Sequence, residues 1–299
     1  MKAKLYFLLS MMIFGAVGIF AKYIALDSCQ IAFFLSLIGA LFLFSLCLLK
    51  KRSLPCQKVR KNLPLLLTAS LALSGNWIFL FQAYKKTTIA NAALTYYLAP
   101  ILVILAAPLI LQEKLSLRKL LCTAFALLGL FLILNNGLNE SSTDSLTGMI
   151  YGLIAAVFYA ALTLINKFIK DLDGLTNTCF QLLFSAILLF CWSVLAGSSW
   201  SSLPAADDIL LLLVLGICHG GAGFYLFFTG MQALNGQSIA ILSYADPLTS
   251  LLLSVLCMNE PMSLLQGIGA LLLFSSIWLA ERTSTAPYAA AAAKSSAIR

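Results

Sequence analysis

Apolar runs of about 20 residues follow one another from end to end of this chain, each long enough to cross roughly 30 Å of hydrocarbon as a helix. No soluble fold accommodates them. Of the 299 residues, 61% are hydrophobic and 10% are charged, and the mean hydropathy is +0.98. A soluble domain carries about a quarter charged residues, so this chain has too little polar surface to cover a soluble monomer. A transmembrane barrel would instead show short alternating strands. The longest non-apolar stretches (50–62, 135–147, 198–208 and the tail after Glu281) are too short to bury a core alone. The run 5–26 lacks a small-x-small cleavage pattern and reads as a spanning helix.

Ten spanning segments are expected at 6–26, 31–49, 64–84, 89–111, 117–134, 148–169, 176–196, 209–230, 237–258 and 264–280. The expected fold class is therefore an all-α polytopic membrane protein. With the N-terminus inside, 16 of the 19 lysines and arginines fall on the inner side, and Lys22, Lys85 and Lys86 remain outside. That asymmetry predicts a multi-pass protein with both termini in the cytoplasm. The net charge of +8 is then a topology signal, and no nucleic-acid partner is expected. The eight cysteines form no C-x-x-C pair and act mostly as small hydrophobes.

An internal repeat organises the chain. A shift of 147 residues lays Tyr97 on Tyr244, Pro100 on Pro247, Glu113 on Glu260 and Ser116 on Ser263 without a gap. Upstream, Lys22 falls on Lys167 at a shift of 145. Each copy holds five segments, an odd number, so the second enters the membrane from the opposite side. Inverted repeats of this kind build many secondary transporters, because two such halves can exchange conformations and open one site to each side in turn. The expected organisation is a first five-helix repeat at 1–135, an outer linker at 136–147, a second repeat at 148–281 and an Ala-rich, disordered cytoplasmic tail at 282–299.

The segments LTYYLAPILVILAAPLILQEKLS and LSYADPLTSLLLSVLCMNEPMS, each with Y-x-x-P followed by E-x-x-S, resemble the EamA family of the drug/metabolite transporter superfamily. The resemblance spans about residues 5 to 281. It implies a secondary carrier of a bacterial inner membrane that moves a small metabolite, often outward. The chain departs from a common pattern in having no arginine in its second segment.

Asp246 is the leading site candidate. It stands mid-segment beside Pro247, and the matching residue of the first copy is Ala99. A carboxylate at that depth is costly and faces a cavity or a partner. It suits either an amine or a coupling proton. His219, the one histidine, sits among glycines in GICHGGAGF, where an imidazole either relays a proton with Asp246 or packs. Pro100 and Pro247 are expected to break their helices and free backbone carbonyls at the site. Asn76, Trp77 and Asn91 join Tyr97, Tyr225 and Tyr244 as a polar, aromatic lining for a small-molecule metabolite. Lys22 and Lys167 either snorkel to opposite faces or meet an acidic substrate group. Glu113 and Glu260 read as turn elements near the helices that follow them.

No nucleotide-binding G-x-x-x-x-G-K-[ST] loop, H-E-x-x-H zinc motif or G-x-S-x-G elbow occurs. The expectation is a non-enzymatic carrier without cofactor or metal, with proton coupling left open, working in the bilayer as a monomer or homodimer. Export of an amino acid or a relative leads. A cationic metabolite such as a nucleoside derivative, exchanged or imported, is the alternative carrier reading. A non-transporting receptor or assembly subunit is the alternative of another class.

Overall fold

The computed structural model describes residues 2–17, 20, 23–51, 55–114, 116–134, 143–196, 206–258 and 262–281. Lys22, Glu260, most of the linker and the tail 282–299 lie outside the described residues. Every described element is helical. The first half contains α1 (Lys2–Phe14), α2 (Ser28–Leu49), α3 (Cys56–Lys61) and α4 (Leu63–Lys86). It continues with α5 (Ile89–Tyr96), α6 (Ala99–Ile110) and α7 (Leu117–Leu134). The second half begins with α8 (Thr143–Asn166), α9 (Gly174–Leu195) and α10 (Ala206–Val214). A π-helical stretch (Leu215–Gly223) leads into α11 (Phe224–Gln232), and α12 (Gly236–Leu242), α13 (Ala245–Met258) and α14 (Leu264–Glu281) follow.

Seven helical stretches among the described residues are long and apolar enough to cross a membrane, and Leu264–Ala280 forms a shorter apolar helix. Among the expected spans, the fourth is divided into α5 and α6, and two more are not single long helices. The first is described as α1 and scattered residues beyond it, and the ninth is divided into α12 and α13. Large apolar side chains point outward along these helices, with Leu109, Leu195 and Leu264 each more than 80% exposed. Exposed patches on this scale are untenable in water and suit lipid. The chain is a multi-pass membrane protein.

Helix starts are set by side-chain caps at matched places. Thr88 accepts a hydrogen bond from Asn91 N at 3.1 Å, and Asn235 accepts one from Ser238 N at 2.7 Å. Ser116 caps Lys119 N and Ser263 caps Gln266 N, at 3.5 and 3.2 Å. Such caps satisfy amides left unpaired by the first helical turn, each worth about 1 kcal/mol. Between caps, long leucine-rich stretches propagate the helix in lipid, where every backbone group must bond internally.

The packing follows the same offset. α4 packs on α8, and α11 packs on α1. α2 packs on α9, α7 on α14 and α6 on α12. The α4–α9 seam is joined by hydroxyls, with Ser70 Oγ donating to Gln181 O and Ser185 Oγ donating to Ser70 O, both at 3.1 Å. Its counterpart, where α2 meets the π-helical stretch, has glycines instead. A β-carbon on Gly220 would stand 2.5 Å from the Leu35 carbonyl oxygen, so these backbones approach too closely for any side chain. Polar and small residues are the usual adhesive between helices in lipid, where burial of apolar surface supplies little drive.

Candidate functional site

The site grows from two breaks in the helices. α5 ends at Tyr96 and α6 restarts at Ala99, while α12 ends at Leu242 and α13 restarts at Ala245. Pro100 and Pro247 lack the N–H that would bond four residues back, so the chain tightens there into three-residue turns. Leu98 N bonds Thr95 O at 3.3 Å, and Tyr244 N bonds Ile241 O at 3.2 Å. Asp246 N takes up the Ser243 carbonyl, freed by the proline, at 3.2 Å. Asp246 therefore lies in the first turn of α13, where the helix dipole favours negative charge.

The two breaks touch. Tyr97 Oη donates to Asp246 Oδ1 at 2.9 Å. Tyr244 Oη donates to the carbonyl of Tyr97, its own counterpart in the other half, at 3.4 Å. Tyr159 Oη and Ser243 Oγ are 3.1 Å apart, and Asn76 bonds both the Tyr96 phenol and the Ala155 carbonyl, the latter at 2.9 Å. The charge of Asp246 also reaches the phenols of Tyr84, Tyr96 and Tyr159. Asp246, Tyr84, Tyr96 and Tyr97 are each half-buried and keep some accessible surface among the packed helices. The space they share is the candidate cavity. Helix α1 runs close beside it: a β-carbon on Gly15 would stand 2.7 Å from the Asp246 carbonyl oxygen.

A chain of rings leads away from the cavity. Tyr97 and Tyr96 have centroids 5.6 Å apart, Tyr96 and Tyr159 5.9 Å, and Tyr159 and Phe227 6.0 Å. Phe227 meets Phe14, and Phe14 meets His219 at 4.6 Å. His219 packs on Phe14 and Phe224, and its buried Nδ1 has no hydrogen-bond partner among the described residues. Among those residues no hydrogen bond joins His219 to Asp246, whose side chain takes one from Tyr97. Trp77 is buried against Phe224, edge to face at 5.2 Å. Tyr225 is half-buried on α11 beside the apolar core.

Asn91 lies elsewhere. Its Nδ2 donates to Thr87 Oγ1 and Ser145 Oγ, which ties the start of α5 to α8. Lys167 is also remote from Asp246. Its ammonium donates to the carbonyls of Met231 (3.1 Å), Gln232 (3.5 Å) and Leu234, at the C-terminal end of α11. A cation there complements the helix dipole. Burial lowers the Lys167 pKa below the ordinary lysine value, and the charge of Glu113 partly offsets this. Glu113 does not serve the helix that follows it. Its carboxylate accepts from Gly236 N at 2.7 Å and Gln237 N at 3.3 Å, capping α12 of the other half. Lys119 Nζ adds bonds to Asn235 Oδ1 and Ser238 Oγ, both 3.1 Å. The turn at 231–238 is gripped by three charged side chains.

Tyr84, Tyr96 and Tyr159 are not singled out by the sequence; the packing of α4, α5 and α8 brings them towards Asp246. Among the described residues no three His, Cys, Asp or Glu side chains gather as a metal site requires.

The apolar helices define a multi-pass membrane protein by class, and comparison with known proteins makes it a transporter by family. The chain belongs to the EamA-like transporter family, whose model matches residues 1–135 and 146–281. It is 31% identical over 277 residues to the uncharacterized transporter YxxF of Bacillus subtilis (strain 168), covering 91% of this chain and 86% of that protein. It is 26% identical over 185 residues to the aromatic amino acid exporter YddG of Ancylobacter novellus, covering 61% and 63% of the two chains. A solved crystal structure superposes with a TM-score of 0.81 at 21% identity, over 93% of this chain and 98% of that one, which shows the shared fold.

Proposed function

We propose that this chain is a secondary carrier that exports a small polar metabolite, an amino acid or a related amine-bearing compound, across the bacterial inner membrane by alternating access. The observation that carries the reading is the Tyr97–Asp246 bond across the two helix breaks, at the wall of an internal cavity. It joins matched elements of the two halves at the one acidic residue that differs between the breaks.

Two inverted five-helix halves, spanning ten times with both termini in the cytoplasm, suit the matched contacts. Lys85 Nζ donates to Leu26 O at 2.8 Å, and Gln232 Nε2 donates to Leu172 O at 2.9 Å. Asp208 accepts from Ala25 N and Asn62 accepts from Lys170 N, at 3.2 and 3.3 Å. These donors and acceptors fall at shifts of 145 to 147 residues. In this reading the 231–238 turn is at the cytoplasmic end, and Lys167, Glu113 and Lys119 hold that end shut. Inward opening requires their release. The exporter name carried by one relative favours an amino-acid-like solute.

Counterflow in proteoliposomes tests the reading, with amino acids, amines, sugars and nucleosides at two pH values beside Asp246→Asn. Saturable exchange of one solute class supports it. Absence of exchange by folded protein, for every solute offered, counts against it.

A further inference from the structure

We propose that the cavity takes an organic ammonium ion, with the charge held by the Asp246 carboxylate and the carbon groups held by the rings of Tyr84, Tyr96 and Tyr97. As a statement about substrate, this rests on the carrier reading above. As a statement about the cavity, it stands on the geometry alone.

Tyr97 Oη is the hydrogen-bond partner of the Asp246 side chain among the described residues, and it engages Oδ1. Oδ2 is left for a ligand. The carboxylate sits in the first turn of α13, where negative charge is favoured, and is not sealed. A half-buried anion with no counter-ion among the described residues is costly, and a cation that enters relieves that cost. An anionic solute is repelled, and a neutral one leaves the charge uncompensated. A divalent metal is a poor fit, because hard cations need about six or more oxygen ligands and this site offers one carboxylate.

The remaining wall is aromatic. Tyr96 is 5.6 Å from Tyr97 and 5.9 Å from Tyr159, ring to ring. Tyrosine faces attract ammonium groups electrostatically, and this attraction does not need an N–H. That sets the chemical class more narrowly than an amine. If the rings share the task with the carboxylate, complete N-methylation is tolerated. If hydrogen bonding alone holds the nitrogen, it is not.

Titration calorimetry on the purified full-length protein, in detergent, separates these cases with phenethylamine, its N,N,N-trimethyl derivative, phenethyl alcohol and phenylacetate. Both cations should bind about tenfold tighter than the alcohol or better, a gap of the size that buried charge and ring contacts give, and phenylacetate should bind more weakly still. Asp246→Asn should erase the preference for cations over the alcohol. If that variant does not fold, Tyr96→Leu should weaken both cations by a larger factor than it weakens the alcohol.

Equal binding of alcohol and cations, or loss of binding on N-methylation, overturns the inference. So does a cation preference that survives in folded Asp246→Asn. Counterflow distinguishes this failure from failure of the carrier reading. Exchange of other solutes without any ammonium binding overturns the ammonium inference alone. Ammonium binding without exchange of any solute overturns the carrier reading alone.

Discussion

The break before Pro100 and the break before Pro247 are built alike and end differently. In each, a helix stops, a tyrosine begins a tight turn, and a second helix starts over a proline. Tyr244 reaches the carbonyl of Tyr97, but Tyr97 does not reach the carbonyl of Tyr244. It is drawn instead to Asp246, where the first break has Ala99. A single carboxylate thus turns a symmetric handshake into a site. The two seams show a similar contrast. Serines hydrogen-bond α4 to α9, whereas glycines bring α2 against a helix wound to π geometry, with His219 inside it. Matched features form the frame, and chemistry gathers where the match fails.

The strongest way to break the first contrast is to remove it. Asp246→Ala makes the second break resemble the first, and exchange in proteoliposomes should fall by about a hundredfold, or about 2.7 kcal/mol, in the range for truncating a buried charge partner. An unchanged rate in folded protein would deny Asp246 its role. The seams come next. Gly220→Ser brings to this seam the kind of side chain that Ser70 and Ser185 use in the other, yet here it meets the Leu35 carbonyl. Overpacking of this kind costs about 1–3 kcal/mol, so thermal unfolding should shift downward. Tyr97→Phe and Tyr244→Phe sharpen the comparison of the breaks. Loss of a bond to a charged group costs about 1.5–3 kcal/mol and that of a neutral one about 1 kcal/mol. Ligand affinity should therefore fall about tenfold or more for Tyr97→Phe, and several-fold less for Tyr244→Phe.

The smallest effect is expected at Lys167. Its folded pKa is lowered by burial, so between that value and the unfolded lysine value the unfolded chain binds more protons. Stability should rise as pH climbs through that window. Melting temperatures from pH 8 to 10.5 should show a slight upward slope in the wild type that Lys167→Met lacks.

Much of this frame is legible in the sequence, because spacing survives in local structure. The Y-x-x-P offsets foretell both breaks, and Ser116 and Ser263 foretell two caps. Asp246 stands out because its counterpart is Ala99. What escapes is the partner across the bundle. Glu113 lies a few residues before α7, so proximity in sequence assigns it there, although it bonds the start of α12. Tyr84 lies at the end of α4 and resembles a member of an interfacial belt, yet the packing of the bundle brings it within reach of the Asp246 charge. His219 and Asp246 are natural partners by residue type, and only packing shows Phe14 beside the imidazole. Asn91 is equally suited to a pore or a clasp, and Ser145 decides for the clasp. Such pairings depend on helix rotation, which a chain with apolar residues on nearly every face does not encode by periodicity.

The paired clasps of Lys85 on Leu26 and Gln232 on Leu172 carry a thermodynamic consequence. Under the alternating-access reading proposed above the chain visits two shapes, and such a machine works best when neither is a deep well. Swinging a population from 1:99 to 99:1 takes about 5.5 kcal/mol of differential binding, which is more than a small solute readily provides. Near-duplicate bonds at the two ends offset one another as the shape changes, and they leave a residual bias that one solute can overturn. Lys85 also pairs with Asp27 at 3.8 Å, a contact that Gln232 has no charge to copy. The balance is therefore tilted by about the worth of one exposed ion pair, up to about 1 kcal/mol, and salt concentration alone should be enough to move the resting shape.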